Sequence, residues 1–281
     1  MNAEAGKATP GRRGVLRGIS VFLSASVPVR PGFPRMSGAA IEVEEAVVSF
    51  TRAVLREEGT VVFGAHPSIS PLVASVATEY LVPHLRTGAA PEVESLPEEK
   101  RIGPGVVIYQ SHAFDGYLPD HTWEMYRMGY ADLIWCGARD GEKFDPKKSG
   151  AQCPGSLRYM RERMFAREAP AAMIAIGGME GVFEEANMFL DSTGPVNGSF
   201  RLYLFESTGG AAQLLAERTT TDPRFQRCHR AEREWLRDMP AAHAETPSRR
   251  DARARPFVPY PLIMQWLARK IGARGDTETS H

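Results

Sequence analysis

Cysteine is scarce in this sequence. Cys136, Cys153 and Cys228 are the only three in 281 residues; widely separated and odd in number, they exclude a disulfide framework and point to a reducing compartment. No C-x-x-C pair or other metal-ligand spacing occurs, and the seven histidines are scattered, so neither a structural metal nor a resident cofactor is expected. Net charge is absent as well. Lys plus Arg equal Asp plus Glu at 34 each, which argues against DNA or RNA as partner and leaves room for one small anionic ligand. Long apolar runs are missing, since nothing approaches the roughly 20 residues that span a bilayer. The opening MNAEAGKATPGRRGVLRG is basic but too polar for a secretory signal. These absences together lead to the expectation of a cytoplasmic protein with no membrane partner.

What remains is the make-up of a globular domain, 43% apolar and 24% charged, long enough to bury a sizeable core. Residues 1–17 read as a flexible lead-in. Apolar runs at 19–24, 60–63, 105–110, 131–136, 171–176 and 202–205 read as strands. Between them, 38–59, 70–85, 155–167, 180–190 and 210–216 carry helical patterns, with Pro71 tolerated in a first turn. Residues 111–130 read as a loop with a short helix, and 137–154 as a Gly/Lys/Asp-rich loop. Strand and helix alternate, and 171–176 is apolar without a break, as in a strand covered on both faces. The fold expected is α/β, a doubly wound, mostly parallel, Rossmann-like sheet over 18–220. After it comes a helical appendage over 221–281, with helices at 224–237 and 260–271 around a Pro/Ala/Arg-rich connection at 239–256. No repeat of fixed period is present. Ligands of such sheets bind at the carboxyl ends of the strands.

One junction stands out there. In AIGGMEGVFEEANMF, residues 175–189, an apolar strand ends at Gly177 and Gly178 and a helix opens with acidic residues. Glycines at this place let backbone approach a phosphate, and helix N-terminal amides hold anions. Carboxylates repel phosphate but accept hydrogen bonds from ribose hydroxyls, or move a proton at an anomeric carbon. Glu180 and Glu184 are one turn apart and share a face, whereas Glu185 is rotated by about 100°, so Glu184 and Glu185 are expected to do different jobs. The alternative is purely structural: a strand-ending turn, with acids favoured at a helix N-terminus.

The chain resembles the SLOG superfamily in four places: VFLSASVP after the first strand, VVFGAHPSISPL after the second, SLRYMRERM followed by IAIGGMEGVFEEA, and LYLFESTGGAA after the last strand. That superfamily includes the Lonely Guy phosphoribohydrolases, the DprA DNA-processing proteins and nucleotide-sensing modules of bacterial defence, and the likeness is closest to the defence-associated clusters. The resemblance implies a bound nucleotide or nucleotide-sugar phosphate. It also implies a homodimer or larger assembly, and, for a sensor, an effector protein as partner. In the phosphoribohydrolase branch the core reads P-G-G-x-G-T-x-x-E with an Arg-Lys pair upstream. Its arginine matches Arg161, 16 positions before Gly177, and its glutamate matches Glu184. Ile176 stands in place of the proline, Glu180 and Gly181 in place of Gly-Thr, and Glu162 in place of the lysine. The resemblance thus makes Arg161 and Glu184 the candidates for N-glycosidic bond hydrolysis, with sensing without chemistry as the alternative.

The remaining candidates for ligand contact are Ser24 after the first strand; Gly64, His66 and Ser68 in GAHPS after the second; Gln110 at the end of the third; Gly181 and Glu185 in the acidic helix; and Thr208 with Gly209 after the last strand. Ser24 and Ser68 offer hydroxyls, His66 an imidazole with an ordinary pKa near 6.5, and Arg161 a fork that matches two phosphate oxygens. Each has a structural alternative. Ser24 can bond its own turn, Thr208 can serve as a helix N-cap, and Arg161 can be a solvated charge beside Arg158, Glu162 and Arg163.

Overall fold

The computed structural model describes residues 13–34, 38–97, 103–148, 150, 152–238 and 258–275. The first twelve residues of the expected lead-in, the 239–256 connection and residues 276–281 lie outside them.

The elements run β1 (Ser20–Ser26), α1 (Ala39–Arg56), β2 (Thr60–Gly64), α2 (Ser70–Tyr80), β3 (Gly105–Ser111), α3 (Asp120–Arg127), β4 (Asp132–Cys136), α4 (Pro154–Glu168), β5 (Ala172–Gly177), α5 (Glu180–Ser192), β6 (Leu202–Phe205), α6 (Gly210–Arg218), β7 (His229–Arg230), α7 (Ala231–Asp238) and α8 (Tyr260–Gly275). The seven strands form one sheet in the order β4-β3-β2-β1-β5-β6-β7, and every pairing is parallel. Strand order reverses between β1 and β5, whose registers align Ser24 with Ala175 and Ser26 with Gly177. That reversal is where a doubly wound sheet opens a crevice at its carboxyl edge.

The alternation of side chains sorts the core into two layers. Val21 and Leu23 of β1, with Ala172, Ile174 and Ile176 of β5, pack under α1, α2, α3, α7 and α8. Phe22, Met173 and Ala175 point the other way, under α4, α5 and α6. Both faces of the sheet are covered, so the apolar run at 171–176 shows no alternation in its sequence.

Two expectations need correction. Helix α2 stops at Tyr80, not near residue 85: Leu81 is already extended, and a residue preceding Pro83 is disfavoured in helical conformation. The stretch 224–237 is not one helix either. Phe225 and Cys228 close tight turns on Asp222 and Phe225, His229 and Arg230 add a seventh strand to β6, and the helix begins only at Ala231. The C-terminal α8 then lies against α1, with Tyr260, Ile263, Met264, Leu267 and Ile271 buried in the first layer.

Candidate functional site

A cavity of about 360 Å³ opens over the carboxyl ends of β3, β2, β1 and β5, within the size range of small-molecule sites. Its floor is apolar, with Leu23, Phe63, Leu157 and Met160. Its polar groups include Ser26, Arg30, His66, Gln110, Gln152, Arg161, Glu180, Glu184 and Glu185.

At the centre is Arg161. Its helix α4 carries charge on every side, but this arginine turns inward and is only 9% exposed, while Arg158 and Glu162 pair at the surface. Arg161 Nε donates to Glu185 Oε1 at 2.9 Å, and Nη1 donates to Glu184 Oε2 at 2.5 Å. Glu185 also accepts the hydroxyl of Ser24, which lies within β1, two residues before its end. The two glutamates, expected to act separately, therefore hold the same guanidinium from two sides. A helical step of 100° still lets two long side chains converge on one large planar group. They differ in depth, the Glu185 side chain being 13% exposed and that of Glu184 37%. Glu180 reaches instead to Arg30, at 2.9 Å.

The glycines explain how the parts come so close. A Cβ at Gly181 would stand 2.8 Å from Arg161 Nη2, so its hydrogen lets the guanidinium reach the first turn of α5. Gly177 and Gly178 have φ of +58° and +85°. Cβ atoms there would meet Ser26 O at 2.6 Å and Val182 Cγ2 at 2.1 Å. The amides of this pair are engaged within the fold: Gly177 N–H donates to Thr208 Oγ1 at 2.7 Å and Gly178 N–H to Ser26 O at 2.6 Å. By contrast, the N–H groups of Met179, Glu180 and Gly181 find no acceptor among the described residues. The amides that can face an anion thus lie one step further along the chain than the glycine pair.

The other candidates divide. Gly64, His66 and Gln110 line the cavity. Burial pushes the His66 pKa down, so the ring is neutral, and Nδ1 lies 2.9 Å from Ser68 Oγ and 3.3 Å from Ser68 N. Ser68 therefore sets the tautomer of His66 from outside the cavity lining. Ser24 is buried, and its hydroxyl is engaged by Glu185. Thr208 is not the N-cap of α6, a position that Gly209 occupies. Its fully buried hydroxyl accepts from Gly177 N–H and donates to Phe205 O, which locks the ends of β5 and β6 together. Neither residue lines the cavity. The loop after β6 is also filled from within: the Glu232 carboxylate accepts from the N–H groups of Glu206 and Ser207 and from the Ser207 hydroxyl, the last at 2.6 Å.

Sequence reasoning did not single out Arg30, Phe114, Phe144 or Gln152 as site residues, yet all four line the cavity. The only available signal was a pair of phenylalanines in otherwise polar loops. No cluster of three or more His, Cys, Asp or Glu placed to hold a metal occurs among the described residues. No helix among them is long and apolar enough to cross a membrane.

A parallel, doubly wound sheet with a polar cleft at its reversal point defines a ligand-binding α/β domain of Rossmann-like type. The family model described as the SLOG cluster3 family matches residues 35–228, and the chain belongs to that family. Its architecture is that of a nucleotide-ligand-binding family. Among curated proteins and among solved structures, none matches the chain.

Proposed function

We propose that the protein binds a phosphorylated, nucleotide-derived ligand in the cleft over β1 and β5. The observation that carries this reading is the arrangement around Arg161. One guanidinium is fixed by two carboxylates, and its Nη2 is left without an acceptor among the described residues. Close by, Gly181 lets Nη2 reach the first turn of α5. Nη2 and the amides of Glu180 and Gly181 supply donors for phosphate oxygens, reinforced by the positive end of the helix. Glu184, at the mouth of the cleft, accepts hydrogen bonds from ribose hydroxyls. Arg30 and Arg161 against Glu180, Glu184 and Glu185 leave one excess negative charge, which favours a ligand with a single phosphate over a polyphosphate.

Hydrolysis of an N-glycosidic bond is the second reading, favoured by the exposure of Glu184. In that reaction Arg161 holds the phosphate and Glu184 takes a proton from water. The water oxygen attacks the anomeric carbon, and the base departs with the bonding electron pair and takes up a proton. Sensing, with occupancy relayed to a separate effector protein, needs only the binding step.

Incubating the purified chain with nucleoside monophosphates, NAD, ADP-ribose and cyclic ADP-ribose, and following bound and released species by mass spectrometry, tests these readings. Retention of an intact ligand, weakened in Arg161→Ala, supports binding. Free base and phosphosugar, both lost in Arg161→Ala and Glu184→Ala, establish hydrolysis. Retention of nothing in the panel overturns the proposal.

A further inference from the structure

The Arg161 cluster fills one end of the cavity; the other end is built differently. Phe114, just beyond β3, and Phe144, in the loop between β4 and α4, line it with rings 5.1 Å apart and 28° from parallel. Tyr117 meets Phe144 edge-on at 5.1 Å. Both phenylalanines are only half-buried. A ring whose sole task is packing is normally driven deeper, because each such side chain gains about 1.5–3 kcal/mol on full burial.

The loop carrying Phe144 is also braced. Phe144 N–H donates to Ala113 O at 2.7 Å. Gln152 accepts from Asp145 N–H and donates to the carbonyls of Asp145 and Lys148. Glu142 accepts from the N–H groups of Gly155 and Ser156 and so anchors the loop to the start of α4. Those bonds hold the Glu142 carboxyl below its ordinary pKa. Fixing the backbone on either side of a half-exposed ring keeps a flat apolar face toward the cavity without further ordering when a ligand arrives.

Gln110 lies beside this wall. Its Oε1 accepts from Ser111 N–H at 2.9 Å, which fixes the orientation of the amide and leaves its NH₂ as the group offered to the cavity, a donor for a ring nitrogen or carbonyl.

We propose that Phe114, Phe144 and Gln110 form the subsite for a heteroaromatic base, with the rings stacking on its face and the Gln110 amide donating to an acceptor on its edge. This inference rests on the reading of the Arg161 end as the phosphate and sugar subsite. Three strand spacings separate β3 from β5, about 14 Å, a span that one base, one pentose and one phosphate in line fill. The ligand class is therefore a mononucleotide, bound lengthwise across the carboxyl edge of the sheet. The Phe pair sets the preference for a base over a bare sugar phosphate.

Calorimetric titration of the full chain with AMP, GMP, CMP, UMP and ribose 5-phosphate separates the two subsites. The tightest mononucleotide is expected to bind at least about tenfold better than ribose 5-phosphate. Phe144→Leu and Phe114→Leu, which keep apolar volume, should weaken that nucleotide about tenfold, within the range that stacking supplies, and leave ribose 5-phosphate unchanged. Equal affinity of the two probes for the wild type overturns the base subsite, as does a Leu variant that weakens neither probe or both alike. In these cases the phosphate reading stands. Failure of the wild type to bind any of the five compounds overturns the mononucleotide subsite, and the phosphate reading falls with it only if NAD, ADP-ribose and cyclic ADP-ribose are not retained either.

Discussion

Arg161 and Glu185 meet at 2.9 Å through Nε and Oε1, joining α4 to α5, and Ser24 holds the far oxygen of the same carboxylate from β1. Three elements from two sides of the strand-order reversal are thereby tied through one ion pair whose members are both largely out of solvent. Arg161→Met strands two carboxylates in this setting. Breaking such a pair costs about 3 kcal/mol, and a shift of the urea midpoint should show it. Arg158→Met, which removes a solvated partner of Glu162, should leave the midpoint where it was.

The glycine pair offers a test of the close approach of the chain around β5. Gly178→Ala places a methyl 2.1 Å from Val182 Cγ2 at a φ of +85°. The left-handed backbone alone costs a non-glycine residue about 1–3 kcal/mol, and the clash adds to it, so the variant should lose at least about 2 kcal/mol in denaturant unfolding. Gly137→Ala, where a Cβ meets nothing within 4 Å and φ is not positive, should fall within about 0.5 kcal/mol of the wild type.

How far the sequence foretold this arrangement varies from residue to residue. β5 was legible because a strand buried on both faces is continuously apolar, and β2 (Thr60–Gly64) and the adjacent β6 (Leu202–Phe205) carry the same signal. β7 was not, since two residues, His229 and Arg230, have no period and owe their conformation to pairing with Tyr203 and Leu204. The inward turn of Arg161 was equally hidden: SLRYMRERM has charges around the whole helix, and only the family likeness singled this arginine out. Gly177 ends β5 and Gly178 follows it, the junction the sequence pointed to, but their amides are bonded to Thr208 and Ser26, contacts between segments far apart in sequence. Phe144 belongs to the same class, brought to the cavity by a loop fixed through Glu142 and Gln152.

The loop after β6 should depend on Glu232. Burial pushes this carboxyl's pKa up, against the hydrogen bonds from Ser207 and Glu206 that pull it down. Glu232→Ala leaves two backbone N–H groups without their acceptor, at a cost of about 2–4 kcal/mol. Faster amide exchange at Glu206 and Ser207, together with a lower urea midpoint, is the expected outcome.

Acid should loosen the packing of α7 and α8. Burial raises the pKa of Glu234, but hydrogen bonds from His229 and Lys270 outweigh it and bring the carboxyl to about 2. In the unfolded chain the ordinary value is 4.5. A depressed carboxyl contributes stability that is fully present above pH 4.5 and lost as pH falls toward 2. The contribution is about 3 kcal/mol. Stability of the wild type should drop across that window by more than that of Glu234→Gln, measured by urea unfolding at pH 6, 4 and 3.

The location of the ligand is the centre of this account, and hydrogen–deuterium exchange of the full chain with and without a saturating mononucleotide from the titration panel tests it most directly. Slowed exchange at residues 64–69, 110–114, 139–148 and 179–182, with the other described residues outside the cavity lining unchanged, is the result the cleft over β1 and β5 predicts. Protection confined to another face, or unchanged exchange at the first turn of α5 under saturating ligand, would contradict it.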